Sequence, residues 1–235
     1  MDNSQRIQYT IERFATADIK ITDEMADKLV KLYDFMVEYN ENVNLTSITE
    51  FTEVVDKHFV DSVLPFFMVD IPDGSSFIDV GTGAGFPALP LLIVRPDLKG
   101  TLCDSLNKRC VYLEKACELV KIRAEIIHAR SEELGRKRRE CFDFATARAV
   151  AAMPELSEYC VPFVKVGGKF IALKSVNEDI RAADSAVRKL GGEIAQVTDY
   201  EIPNGDKRRL VVVNKISQTP TQYPRSSANI SKKPL

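Results

Sequence analysis

Three glycines at alternate positions, Gly81, Gly83 and Gly85, have the type and spacing that binding chemistry requires. Residues 78–80 before them predict the end of a buried β-strand, and the apolar run of residues 88–94 predicts a helix. Glycine lets the backbone pass close to a ligand, and free N–H groups at a helix N-terminus face an anion. The spacing therefore predicts a corner that binds an anionic or nucleoside ligand. A tight turn without a ligand is the alternative.

Polar side chains follow three further predicted strands. Asp104 ends the second strand, Ser131 and Glu132 follow the third, and Arg148 follows the fourth. Carboxyl ends of parallel strands meet at one edge of a sheet, where open α/β sheets bind ligands. An acid there can hold ribose hydroxyls, and the fork of donors on an arginine can hold a flat acceptor or a phosphate. The alternatives are helix capping for Asp104 and Ser131 and a surface ion pair for Arg148.

These residues need a sheet to bring them together, and the chain predicts one. From residue 76 onward strands alternate with helices, which indicates a mostly parallel sheet with helices on both faces. The predicted strands cover residues 78–80, 100–104, 124–128, 142–147, 169–174, 193–202 and 208–216. The predicted helices cover residues 4–17, 22–43, 49–66, 88–94, 107–120, 153–164 and 177–190. We predict a helical cap over residues 1–72, a main domain over 73–217 and a tail over 218–235 with no regular element.

Composition limits the possible partners and location. With 45% apolar and 28% charged residues the chain is typical of a globular protein, and no apolar run is long enough to span a membrane. We expect a cytoplasmic monomer. We also expect no metal site, because the five cysteines form no C-x-x-C pair, and we expect these cysteines to be reduced core residues.

Basic residues cluster despite a net charge of −2. A phosphate backbone is attracted by local patches more than by net charge, although a charge run is more often a solvated face. The candidates for nucleic-acid contact are Arg136, Lys137, Arg138, Arg139, Arg208, Arg209, Arg225, Lys232 and Lys233.

The G-x-G-x-G spacing preceded by Asp79 resembles motif I of methyltransferases that use S-adenosylmethionine (SAM), and a final hairpin fits their seven-stranded Rossmann-like sheet. Amino-group methyltransferases commonly carry an N/D-P-P-Y/F tetrapeptide after strand four, which is absent here. Carbon-5 pyrimidine enzymes need a loop cysteine, whereas Cys141 precedes strand four and Cys160 lies in a predicted helix. An acceptor with an available lone pair, such as an sp² ring nitrogen, remains, and for it the protein mainly supplies alignment. His58 could be a general base, but a hydrogen-bonded structural histidine is the better interpretation.

The chain also resembles, from end to end, the RsmG (GidB) family of bacterial 16S ribosomal RNA guanine-N7 methyltransferases. The matching segments are residues 44–48, 57–62, 79–87, 104–109, 146–150 and 223–225. The resemblance implies SAM as cofactor, contacted by Gly81, Phe86, Ser131, Glu132 and Arg148, and ribosomal RNA or the small-subunit particle as substrate. Residues 226–230 depart from the family pattern, which leaves the contacts between tail and RNA open.

Three other functions compete with this interpretation. A small-molecule N-methyltransferase would share the glycine corner but would have no use for a basic tail. A nicotinamide-dependent oxidoreductase would need the longer G-x-G-x-x-G spacing. A non-catalytic RNA-binding module would have no need of the intact glycines and Asp104.

Overall fold

The N-terminal part of the chain is helical, as predicted. The computed structural model describes residues 1–235. Thr22 begins the longest helix by accepting a hydrogen bond from the Met25 N–H at 3.2 Å. The elements of this cap are α1 (Asn3–Ala15), α2 (Asp23–Val43), α3 (Phe51–Val54), a π-helical segment (Val55–Val60) and α4 (Asp61–Phe67).

The predicted helix over residues 49–66 is divided into α3, the π-helical segment and α4, and it ends at Phe67 with Pro65 inside α4. The π-helical segment Val55–Val60 directly precedes α4.

The main domain is a seven-stranded sheet, mostly parallel, in the order β3-β2-β1-β4-β5-β7-β6. Only β7 runs antiparallel to its neighbours, so the predicted closing hairpin is confirmed. The strands are β1 (Ser76–Val80), β2 (Lys99–Asp104), β3 (Ala124–His128), β4 (Phe142–Arg148), β5 (Val164–Lys174), β6 (Gly192–Glu201) and β7 (Lys207–Lys215). The remaining helices are α5 (Ala88–Val94), α6 (Asn107–Leu119), α7 (Ser131–Lys137), α8 (Met153–Cys160), α9 (Asp184–Lys189) and α10 (Ser227–Lys232).

Two helices are shorter than predicted. The expected helix over residues 153–164 ends at Cys160, and a 3-10 turn containing Pro162 follows, because proline cannot donate to the preceding turn. The expected helix over residues 177–190 is reduced to a 3-10 turn and α9. The Ser175 and Asp179 side chains accept hydrogen bonds from nearby N–H groups, which competes with helical pairing.

Helices cover both faces of the sheet and bury two cores. A core of 36 residues joins the cap to α5 and α6, and a second core of 22 residues lies under α7, α8 and α9. The cap therefore shares its core with the sheet, and the boundary at residue 72 stays a prediction. None of the helices is long and apolar enough to cross a membrane.

The tail contains a helix, so the prediction that it lacks regular structure is wrong. Ile230 on α10 is fully buried, and Tyr223 packs against the second core. Contacts with distant parts of the chain, not local apolar content, order this segment. The expectation that every cysteine lies in the core is also wrong, because Cys141 is exposed just before β4.

Candidate active site

The glycine turn after β1 is held by β2. The Gly81 N–H donates to the Cys103 carbonyl at 2.9 Å, and the Gly83 N–H donates to the Asp104 carboxylate at 3.0 Å. Both glycines have a positive φ, +67° and +61°, a region that favours glycine. A Cβ on Gly81 would lie 2.8 Å from Val150, whereas one on Gly83 would meet no atom closer than 3.9 Å. The backbone at Gly83 therefore borders open space.

Gly85 faces the protein interior. A Cβ there would clash with Leu89 and lie 3.0 Å from Leu113. Its missing side chain lets α5 and α6 approach the turn. The structure thus gives Gly85 a packing role, and the ligand contact expected for it stays a prediction.

Asp79 is a fully buried acid beneath this turn. One carboxylate oxygen accepts hydrogen bonds from the Thr82 hydroxyl at 2.6 Å and the Ala88 N–H at 3.3 Å. The other oxygen, Oδ1, has no donor in the protein. Burial raises the pKa of Asp79 to about 7. A cationic ligand group nearby would therefore stabilise the charged carboxylate.

A cavity of about 260 Å³ opens at the carboxyl ends of β1, β2, β3 and β4. We call it the glycine pocket. It brings together four of the predicted residues, namely Gly81, Asp104, Ser131 and Glu132. Its lining residues are Val80, Gly81, Cys103, Asp104, Ser105, Ala129, Arg130, Ser131, Glu132, Val150, Ala151, Glu155, Tyr159, Ser227 and Ser231.

Helix capping was the alternative role for Asp104 and Ser131, and the structure shows a hydrogen bond before α6 for Asp104 but no capping by Ser131. Asp104 lines the pocket and also accepts from the Leu106 N–H at 2.9 Å, so it organises the turn before α6 as well. Ser131 is the first residue of α7, where Arg130 occupies the N-cap position and no side chain caps the helix. Ser131 is therefore free of the capping role.

A second cavity, of about 450 Å³, lies beside the first. We call it the arginine pocket, because Arg148 at the end of β4 is its central side chain. Arg148 Nη1 donates to the Lys57 carbonyl at 3.0 Å and approaches Asp61 at 3.3 Å, and Nη2 lies 3.1 Å from His58 Nδ1. Its lining residues are Ile48, Lys57, His58, Asp61, Arg148, Ala149, Leu173, Lys174, Ser175, Glu178 and Arg208.

His58 lines the arginine pocket as a neutral, hydrogen-bonded side chain. Its Nδ1 accepts from Arg148, so the proton is assigned to Nε2, which lies 2.9 Å from the Thr46 hydroxyl. Its ring stacks on Phe86 at 4.6 Å, and the Arg148 guanidinium lies 5.2 Å from the centre of the same ring. Burial, with the nearby arginine charge, lowers the pKa of His58 to about 3. This agrees with the structural role expected for it.

Asp61 is the buried centre of a charge network. One of its oxygens faces Arg148 and lies 3.5 Å from Arg208 Nε, and the other accepts from the Tyr200 hydroxyl at 3.0 Å. Burial, with the Asp61 charge, raises the pKa of Tyr200. Through Asp61 the network connects Arg148 on β4 with α4, β6 and β7.

Sequence reasoning missed Tyr200 and Thr46 in this network. Tyr200 is 139 residues from Asp61, and no local pattern connects them. Thr46 was visible only as part of a segment that matched the family.

Most of the predicted basic candidates are used inside the protein. Arg139 donates to the carbonyls of Thr219, Pro220 and Tyr223. The other intramolecular pairs are Arg136 with the Pro224 carbonyl, Arg138 with Glu125, Arg208 with Asp206, Arg209 with Asp199, and Arg225 with Glu158. Lys137, Lys232 and Lys233 are exposed and form no ion pair.

A larger cavity, of about 840 Å³, lies at the opposite edge of the sheet, where β2 and β3 begin. None of the predicted ligand-binding residues lines it. The two pockets at the carboxyl edge are therefore the candidate active site.

Comparison with known proteins agrees with this geometry. Solved methyltransferases share the fold. A precorrin-6y C5,15-methyltransferase from Geobacter metallireducens superposes with a TM-score of 0.52 at 11% identity, covering 66% of this chain and 87% of that one. A predicted O-methyltransferase from Agrobacterium tumefaciens gives 0.53 at 18% identity, covering 70% and 82%.

Sequence relatives are much nearer. Ribosomal RNA small subunit methyltransferase G of Clostridium botulinum (strain Eklund 17B / Type B) is 43% identical over 223 residues, which cover 92% of this chain and 93% of that protein. The protein of the same name from Clostridium novyi (strain NT) is 41% identical over 241 aligned positions, 99% of each chain. The family description "rRNA small subunit methyltransferase G" (GidB) matches residues 25–211. The chain therefore belongs to the GidB (RsmG) family of small-subunit ribosomal RNA methyltransferases.

Proposed function

We propose that this chain transfers a methyl group from SAM to N7 of a guanine in 16S ribosomal RNA. The observation that carries the proposal is that the two pockets adjoin along one short segment after β4. Arg148 and Ala149 line the arginine pocket, while Val150 and Ala151 line the glycine pocket. A donor in one pocket and an acceptor in the other would therefore meet across this segment.

The glycine pocket suits SAM. Asp104 stands where Rossmann-like sheets place the acid for ribose hydroxyls, with Ser131 and Glu132 beside it for the adenine. Asp79 lies outside the pocket lining and supports the glycine turn from beneath through Thr82 and Ala88. When bound, SAM supplies a methyl group on a positively charged sulfur.

The arginine pocket suits an acceptor that needs no base. His58 is neutral and hydrogen-bonded at both ring nitrogens, and no cysteine lines the pocket. Guanine N7 has an in-plane lone pair and carries no proton, so no group must remove one before the methyl group transfers. Arg148, held by Asp61 and the Lys57 carbonyl, can orient the base through its planar donors.

Exposed cations are available for the RNA backbone. Lys137, Lys232 and Lys233 are exposed without ion-pair partners. The paired arginines contribute less, because their donors are already engaged. The names of the relatives support small-subunit RNA as the partner, either free or within the ribosomal particle.

The test is binding and transfer with the purified chain. We expect calorimetry to detect SAM and not NAD, and radiolabelled SAM to transfer label to small-subunit RNA from cells that lack this protein. RNA binding without SAM binding would favour the non-catalytic module. SAM binding with transfer only to small molecules would favour the small-molecule enzyme.

A further inference from the structure

The tail ends on the glycine pocket. Ser227 and Ser231 of α10 line this pocket together with Glu155 and Tyr159 of α8. The other walls are the strand ends that carry Asp104 and Ser131. The tail, expected only to contact RNA, thus closes one side of the pocket.

A buried ion pair fixes the position of the tail. The Glu158 side chain on α8 is fully buried and accepts from the Arg225 backbone N–H at 2.8 Å and from Arg225 Nη2 at 2.6 Å. Removing the arginine would leave a buried carboxylate unpaired, which is strongly destabilising. The chain just before α10 is therefore held on α8.

Two arginines of the basic cluster around α7 hold the preceding residues. Arg139 donates to the Tyr223 carbonyl at 2.6 Å and the Pro220 carbonyl at 2.8 Å, and Arg136 donates to the Pro224 carbonyl at 3.1 Å. Charged donors make stronger hydrogen bonds than neutral ones. The tail is thus ordered by contacts that begin well before the helix.

The two serines point to the same side of α10. They are four residues apart, so they share a helical face, while Ile230 is fully buried and Asn229 is exposed. Asp104 and Ser131 line the same pocket. A pocket lined by hydroxyls and an acid suits the sugar and base of a nucleoside.

We propose that α10 is a cofactor-binding element and that Ser227 and Ser231 hydrogen-bond the nucleoside part of SAM. This inference rests on the proposed use of SAM. It assigns the tail a role in the reaction that is separate from RNA contact.

The test compares the double variant Ser227→Ala/Ser231→Ala with the control Asn229→Ala on the same helix. Because alanine has a high helix propensity, the wild-type chain, the double variant and the control should unfold at nearly the same temperature without ligand. By calorimetry, removal of two hydrogen bonds should weaken SAM binding about tenfold, and the control should change it less than about twofold. The double variant should weaken binding of 5′-methylthioadenosine, which lacks the amino-acid part, by the same factor.

The outcomes separate the two levels of the proposal. A wild-type chain that does not bind SAM would overturn the proposed function. Wild-type binding with equal affinity in the double variant would overturn only the role of α10. Weaker binding of SAM with unchanged binding of 5′-methylthioadenosine would overturn the assignment to the nucleoside.

Discussion

The two pockets at the carboxyl edge of the sheet are built in different ways. The glycine pocket consists mainly of backbone and short side chains on successive turns after β1, β2, β3 and β4. The arginine pocket is lined mainly by charged side chains from the cap, from β4, β5 and β7, and from the loop after β5. The turns after the strands form most of the first pocket, which α8 and α10 complete, and the packing of the cap on the sheet forms much of the second.

The pockets also differ in how well their polar atoms are paired. Arg148 is bonded to Lys57, His58 and Asp61, so its orientation is fixed by the protein alone. Asp79 beneath the glycine turn keeps one buried oxygen without a donor. We infer that the arginine pocket is organised in advance, whereas the glycine pocket gains stability from its ligand.

The largest expected effect comes from Arg148. Because a planar fork is held in place there, both Arg148→Lys and Arg148→Ala should lower the single-turnover rate of methyl transfer by about 10²–10³-fold. The affinity for SAM should change less than about threefold, because Arg148 lines the other pocket. Arg95→Lys, which is paired with Asp97 and lines neither pocket, is the matched control. A lysine variant with near-normal turnover would show that only positive charge matters.

The second effect concerns Gly83. A valine there has a strained positive φ and places atoms in the open space of the turn, so Gly83→Val should weaken SAM binding about 10–100-fold. Gly74→Val is the control, because Gly74 also has a positive φ, +74°, and no neighbour within 4 Å. Calorimetry on both variants separates ligand contact from backbone strain. Equal affinities in the two variants would show that the turn does not approach SAM.

Much of the fold could be predicted from sequence because its signals are local. The run Ala88–Val94 and the strand Ala124–His128 were predicted with the observed bounds, since apolar runs there are enclosed by turn residues. The helix α10 could not be predicted. Its order depends on Glu158 and Arg139, which are 67 residues or more from their tail partners.

The candidate site shows the same division. Spacing after the strands predicted the glycine pocket residues Gly81, Asp104, Ser131 and Glu132. It could not show that Gly85 faces Leu89, because that depends on how α5 crosses the turn. The sequence also could not show that most of the basic residues are paired, because a run of basic residues has the same sequence pattern whether its side chains face solvent or form ion pairs.

The third effect concerns buried Asp79 and the way in which the stability of the protein depends on pH. The folded pKa of Asp79, about 7, lies above its ordinary value of 3.8. The folded state therefore holds a proton that the unfolded state releases, and the wild-type free energy of unfolding falls as pH rises from about 4 to about 7. The shift corresponds to at most about 4 kcal/mol. Asp79→Asn should thus raise the thermal midpoint at pH 8 by several degrees, with the gain vanishing toward pH 4.

Asp97 provides a control of opposite sign. Arg95 holds its folded pKa at about 2, so this acid stabilises the protein above pH 4 and the contribution disappears as pH falls. Asp97→Asn should lower the midpoint at pH 8 and have little effect near pH 2. A gain from Asp79→Asn that does not depend on pH would contradict the buried-charge explanation.

The smallest effect concerns the exposed lysines. Replacing Lys137, Lys232 and Lys233 with alanine should reduce the salt dependence of RNA binding by about 0.7 in log–log slope for each phosphate that a lysine no longer neutralises. SAM affinity should stay unchanged. Arg138→Ala, which removes a cation already paired with Glu125, should change the slope less. An equal change would show that paired arginines also contact RNA.

Identification of the methylated nucleoside tests the proposed reaction most directly. Small-subunit RNA from cells lacking this protein would be incubated with the chain and with SAM carrying a CD₃ methyl group, then digested and analysed by mass spectrometry. Transfer across the segment between the two pockets predicts one labelled N7-methylguanosine per RNA, formed about 10²–10³-fold more slowly with Arg148→Lys. Label on an exocyclic amine, a ribose or a pyrimidine carbon would contradict the assignment, even if SAM binds in the glycine pocket.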